Sequence, residues 1–191
     1  MGHTDDEKVV IKLGGGLLSD KSSLCTAKHG VISEVASAIA ELGRRGISVI
    51  IVHGAGSFGH LKARAWQLHL GRNDAVNGGM GLECQDEAVS SVHRDMDELN
   101  AILVAELSLR GVVTTIHPPR QWVIGTGAGF KGEVSRFATS IPGQVPITFG
   151  DVVPCDPPKD FGILSGDDLV YRIGTEVPGV SRIIFAMGDV D

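Results

Sequence analysis

Cysteine is scarce in this chain: there are three, Cys25, Cys84 and Cys155, and they stand far apart. None forms a C-x-x-C pair or lies near histidines at zinc spacing, which argues against a disulfide framework or a cysteine-built zinc module. Long apolar runs are missing too. No stretch approaches the roughly 18 uninterrupted apolar residues of a membrane-spanning helix, and the start, Met1-Gly-His-Thr-Asp-Asp-Glu-Lys8, is polar without the apolar core of a secretion signal. The expectation is a soluble cytoplasmic protein with no membrane partner. Nor is positive charge in excess: 17 basic against 23 acidic residues leave a formal charge of −6, so non-specific nucleic-acid binding has no electrostatic basis. An anionic ligand must be held by local charge and backbone dipoles.

What the chain does have is 42% apolar residues over 191 positions, enough for one domain with a large core. Lys8 to Leu13 reads as a buried strand. Val31, Val35, Ile39 and Leu42 fall on one helical face before Gly46, and Ile47 to Val52 reads as the next strand. Residues 70–81 read as a loop or short hairpin. From Glu83 to Arg110 a stripe of Val89, Val92, Met96, Leu99, Leu103 and Leu107 predicts a long helix, whose first use is core packing. Strands follow at Val112 to Ile116, Val145 to Phe149 and Ser181 to Met187, with a helix after Ile163-Leu-Ser-Gly-Asp-Asp168. Alternating strands and amphipathic helices predict an α/β fold with a largely parallel sheet between helices.

Two glycine-rich stretches sit where strand patterns end. The first is Lys12-Leu-Gly-Gly-Gly16; the second is His53-Gly-Ala-Gly-Ser-Phe-Gly-His60, with a helix expected from about Leu61. Glycines let backbone approach an anion closely, and N–H groups at a following helix start point at it. Two such loops suggest two phosphate groups facing each other, and His60 adds a side-chain donor. Gly54, Gly56 and Gly59 also fit the G-x-G-x-x-G dinucleotide fingerprint. That reading wants an acid at the end of a second strand about 20 residues on. Gln67-Leu-His-Leu-Gly-Arg-Asn-Asp74 has no strand leading into its acid.

Taken in order, Lys12-Leu-Gly-Gly-Gly16 with Ser19-Asp-Lys21, the loop ending in His60, Gly150-Asp-Val, Ile163-Leu-Ser-Gly-Asp-Asp168 and Asp189-Val-Asp191 resemble the isopentenyl phosphate kinase branch of the amino acid kinase family. The resemblance implies a three-layer αβα sandwich, one domain over residues 1–191, and commonly a homodimer. It implies transfer of the ATP γ-phosphoryl group, with Mg²⁺ accompanying the nucleotide, to isopentenyl phosphate, in isoprenoid biosynthesis by the mevalonate pathway. By the same resemblance Lys12 and Lys21 would neutralise the transferring group, and Gly14, Gly15, Gly16 and Gly56 would offer N–H groups to ATP. Ala55, Gly59, His60 and Gly150 would hold the acceptor. Asp167 would orient the lysines and Asp189 would lie near the nucleotide.

Each of these residues has a plainer use. Lys21 sits in a polar run where lysines are solvated, and acids such as Asp167 and Asp168 at a helix start serve as dipole partners. Relatives continue past Asp-Val-Asp, so a C-terminally truncated chain, binding the acceptor but transferring poorly, is the expectation. Two alternatives stand beside the main reading: a kinase of this fold acting on a phosphonate antibiotic, and a non-catalytic binding protein on the same fold.

Overall fold

The computed structural model describes residues 7–20, 22–138 and 143–188. Strand β1 (Lys8–Leu13) has every residue buried. A short helix α1 (Gly15–Leu18) follows, then α2 (His29–Arg44) and β2 (Ser48–His53). Helix α3 (Gly56–Ala65) and the long α4 (Gln85–Ser108) precede β3 (Val113–Ile116) and β4 (Gln144–Phe149). Then come β5 (Asp151–Pro154), β6 (Phe161–Leu164), α5 (Gly166–Glu176) and β7 (Val180–Ala186). Five strands form one sheet in the order β3-β4-β2-β1-β7, every neighbouring pair parallel, while β5 and β6 make a separate antiparallel pair.

Alternation along β1 builds the layers. Val9, Ile11 and Leu13 belong to a core with Ile32 and Ala36 of α2 and Met96, Leu99 and Leu103 of α4. Val10 looks the other way, joining Ile50 and Val52 in a second core closed by Leu169, Val170 and Ile173 of α5. The result is helix, sheet, helix, as the αβα reading expects. A parallel sheet buried on both faces needs near-continuous apolar strands, and Val-Val-Ile and Val-Ile-Ile-Val supply them. Among the described residues no helix is long and apolar enough to cross a membrane.

Two local expectations change. The buried face of α2 is Ile32, Ala36, Ile39 and Ala40, with Val35 and Leu42 only half-buried at its margin. The two alanines let the helix approach the sheet, and a count of large aliphatics overlooks them. The second glycine loop is shorter than it reads, because α3 already begins at Gly56, five residues before Leu61. Residues 70–81 are a loop, the first of the two forms expected, with the end of a 3-10 helix and two turns but no strand pair.

Candidate active site

The ends of β1 and β2 are neighbours in register, Leu13 opposite His53, so the loops that follow them meet. They meet backbone to backbone: a Cβ on Gly15 would stand 2.1 Å from the Gly56 nitrogen, and one on Gly54 would stand 2.7 Å from the Gly15 nitrogen. Gly56 has φ +51°, in the left-handed region that glycine tolerates. Ser19 stitches the pair together. Its hydroxyl donates to the Gly15 carbonyl at 2.8 Å and accepts the Ser57 N–H at 2.9 Å.

Around these loops opens a cleft of about 730 Å³. Lys12, Gly14, Gly15, Gly16, Ala55, Gly56, Gly59, His60, Gly150 and Asp167 all line it, so ten of the residues singled out from the sequence come together. Lys21 and Asp189 lie outside the described residues. Lys12 is buried, and its ammonium pairs with the Asp167 carboxylate at the start of α5. That helix start is capped by Ser165, whose hydroxyl accepts the Asp167 N–H at 3.0 Å. Because α3 begins at Gly56, His60 sits one turn inside a helix and is exposed to the cleft.

Two of the glycines do not offer donors. The Gly14 N–H donates to Ala186 at 2.8 Å and the Gly150 N–H to the His53 carbonyl at 3.0 Å, so both are held by neighbouring strands. Their place in the cleft is that of close-packed backbone. The N–H groups of Gly15, Gly16, Ala55 and Gly56 find no acceptor among the described residues. Gly59 lines the cleft too, but its missing side chain serves packing: a Cβ there would stand 2.8 Å from Ala55 Cβ and 3.4 Å from Met96 Sδ.

The sequence reading misses three parts of the site. One wall is apolar, made by Val92 and Met96 of α4 with Val152 and Ile163 of the hairpin. Asp151, also on the cleft, is fully buried at its side chain, bound by Arg120 at 2.8 Å with His93 at 3.7 Å. Burial pushes its carboxyl up, against the pull of His93 and Arg120. Gly150-Asp-Val contains that acid, but nothing in spacing links it to Arg120, 31 residues earlier. Ser19 is the third.

His53, fully buried, immediately precedes the second glycine loop. Burial pushes its imidazole down to about 4, against the opposing effects of the Gly54 carbonyl and Asn100. With an ordinary value of 6.5, the unfolded chain binds more protons than the folded one between those two values, so stability rises with pH across the window. The contribution is complete above pH 6.5 and is lost as pH falls toward 4, a change of about 2 to 3 kcal/mol. Urea melts at pH 7 and pH 4.5 are expected to show this loss in the wild type and not in His53→Asn. Equal pH slopes in the two proteins would contradict it.

The family model of the amino acid kinases matches residues 7–191. The chain belongs to the amino acid kinase family. Among curated members, isopentenyl phosphate kinase of Thermoplasma acidophilum is 31% identical over 168 residues, covering 85% of this chain and 60% of its own length. The isopentenyl phosphate kinase of Methanocaldococcus jannaschii is 26% identical over 195 residues, 95% of this chain and 69% of that protein. This amino acid kinase chain thus spans 60 to 69% of the length of these two relatives. Among solved structures, the T. acidophilum isopentenyl phosphate kinase product complex superposes with a TM-score of 0.77 at 26% identity, covering 96% of this chain and 71% of that one. A second isopentenyl phosphate kinase structure gives 0.81 at 25% identity.

Proposed function

We propose that this chain phosphorylates isopentenyl phosphate with ATP, giving isopentenyl diphosphate. The observation that carries the reading is the make-up of one cleft: an ammonium, a nest of unengaged N–H groups and a histidine face an apolar wall of Val92, Met96, Val152 and Ile163. The polar end suits two phosphates and the wall suits a short apolar tail. Phosphoryl transfer asks mainly for positioning and positive charge around the transferring group. Lys12, with Lys21, meets that charge, and Asp167 holds the Lys12 ammonium in place. Gly15, Gly16 and Gly56 face the ATP phosphates, with Asp189 near the nucleotide, and Ala55 and His60 face the acceptor.

The acceptor is already an anion, so no general base is required and His60 serves as a hydrogen-bond donor. Mg²⁺ would accompany the nucleotide phosphates, neutralising charge there. A small phosphonate antibiotic would leave the apolar wall uncovered, which favours the prenyl acceptor over that rival. The same reading places the protein in the cytoplasm as a homodimer, in isoprenoid biosynthesis by the mevalonate route.

Removing the histidine tests the acceptor assignment. His60→Ala is expected to weaken isopentenyl phosphate binding about tenfold or more, as for loss of a charge-assisted donor. Because His60 is exposed, its melting temperature should hold. Calorimetric titration of both proteins decides it, and undiminished affinity in the variant would overturn the role of His60.

A further inference from the structure

His53 takes no part in the chemistry above, yet it is fully buried directly beneath the acceptor loop. Its Nδ1 lies 3.1 Å from the carbonyl oxygen of Gly54. A carbonyl only accepts, so the proton of that bond is on Nδ1. In a trans peptide the C=O and the next N–H point in opposite directions. A Gly54 carbonyl drawn onto the buried ring therefore turns the Ala55 N–H away from the ring. Ala55 lines the cleft, and its N–H has no acceptor among the described residues.

The rest of the ring is held as well. Phe149 stacks on it at 4.8 Å between centroids, with 27° between planes. The backbone carbonyl of His53 takes the Gly150 N–H, so this residue holds both the second glycine loop and the Gly150 backbone. Asn100 of α4 lies against the ring, but His53 Nε2 and Asn100 Oδ1 are both buried without a hydrogen-bond partner. With its proton on Nδ1, the ring presents an acceptor at Nε2, and what that acceptor needs is the N–H₂ end of the same amide. A half-turn of the Asn100 amide supplies it.

We propose that His53 is a positioning residue for the acceptor phosphate: an Nδ1–H imidazole, backed by Asn100, that fixes the Gly54–Ala55 peptide with its N–H turned toward the anion. The inference rests on the reading that the cleft takes a phosphorylated acceptor, and it adds a residue that never touches the ligand. It also explains why a histidine, rather than an apolar residue, ends a strand whose other core-facing members are all aliphatic.

The test sets three variants against the wild type in calorimetric titrations with isopentenyl phosphate, each checked by thermal melt. His53→Phe keeps the stacking but loses the Nδ1 donor, and affinity is expected to fall about tenfold. His53→Asn places an amide N–H₂ where Nδ1 was and should stay within about threefold of wild type. His53→Gln reaches the Nε2 position instead and should behave like the phenylalanine variant. Wild-type affinity in His53→Phe, or equal affinities in His53→Asn and His53→Gln, overturns the proposal. Histidine ¹⁵N NMR of the unliganded wild type reads the tautomer directly and needs neither ligand nor variant. An Nδ1–H ring at neutral pH supports the clamp and an Nε2–H ring overturns it. If the wild type fails to bind isopentenyl phosphate, the substrate reading fails and the tautomer still decides the clamp.

Discussion

In the proposed transfer from ATP to isopentenyl phosphate, Lys12→Met is expected to lower whatever rate the wild-type chain shows by about 10²- to 10³-fold while leaving the melting temperature nearly unchanged. The two halves of that expectation have separate causes. The transferring group carries negative charge that must be met by fixed positive charge, and in a site shielded from water a held ammonium is far more effective than a solvated one. Lys12 is 8% exposed and is aimed by Asp167 from the start of α5. Stability behaves differently because the partner is not stranded. The Asp167 side chain is 66% exposed, so water takes over when the ammonium is gone. Methionine has similar length and suits the neighbourhood of Phe185, whose ring lies 5.8 Å from the Lys12 ammonium. Steady-state kinetics with thermal melts separate the outcomes. Unchanged kinetics would make Lys12 a structural lysine, and a collapsed melting temperature would place the ion pair in the folding account instead.

Gly15→Ala is expected to destabilise the fold by about 3 kcal/mol or more and to abolish acceptor binding with it. A Cβ there meets Gly56 N at 2.1 Å, Gly56 Cα at 2.6 Å and Ala55 C at 3.1 Å. These are backbone atoms at the start of α3, so no side chain can rotate out of the way. The loops must separate, and Ser19, which bonds both, loses one side of its bridge. Gly30→Ala is the control. Gly30 lies in α2 with open space where its Cβ would go, and alanine there is expected to be neutral or stabilising by up to about 1 kcal/mol. Chemical denaturation of both variants measures the contrast. Similar midpoints for Gly15→Ala and Gly30→Ala would show that the loops are not locked together.

How far the sequence reveals this site depends on which physical signal is local. Apolar runs place β1 and β2, because a strand buried on both faces admits little else. The α4 stripe of Val92, Met96, Leu99, Leu103 and Leu107 is likewise buried as its spacing predicts. The glycine loops are legible as backbone that approaches something closely, and the nearest thing each approaches is the other loop. What escapes the sequence is set by tertiary contact. Nothing local shows that Gly14 and Gly150 donate to strands, that Val92 and Met96 serve core and cleft at once, or that Ser19 joins the loops. The start of α3 is missed for a related reason. Gly56 and Gly59 argue against a helix by propensity, but Gly59 lies where α3 must pass close to α4, and packing prevails.

On the proposed function the cleft takes a phosphorylated acceptor with an apolar tail. Its most direct test is calorimetric titration of the wild-type chain with isopentenyl phosphate, isopentenol and a phosphonate antibiotic in parallel. Saturable binding of isopentenyl phosphate is expected at least about a hundredfold tighter than isopentenol, because the unengaged N–H groups and His60 meet only the phosphate, and tighter than the phosphonate, because only the prenyl tail covers the wall. Equal affinities for phosphate and alcohol, or a preference for the phosphonate, would contradict it.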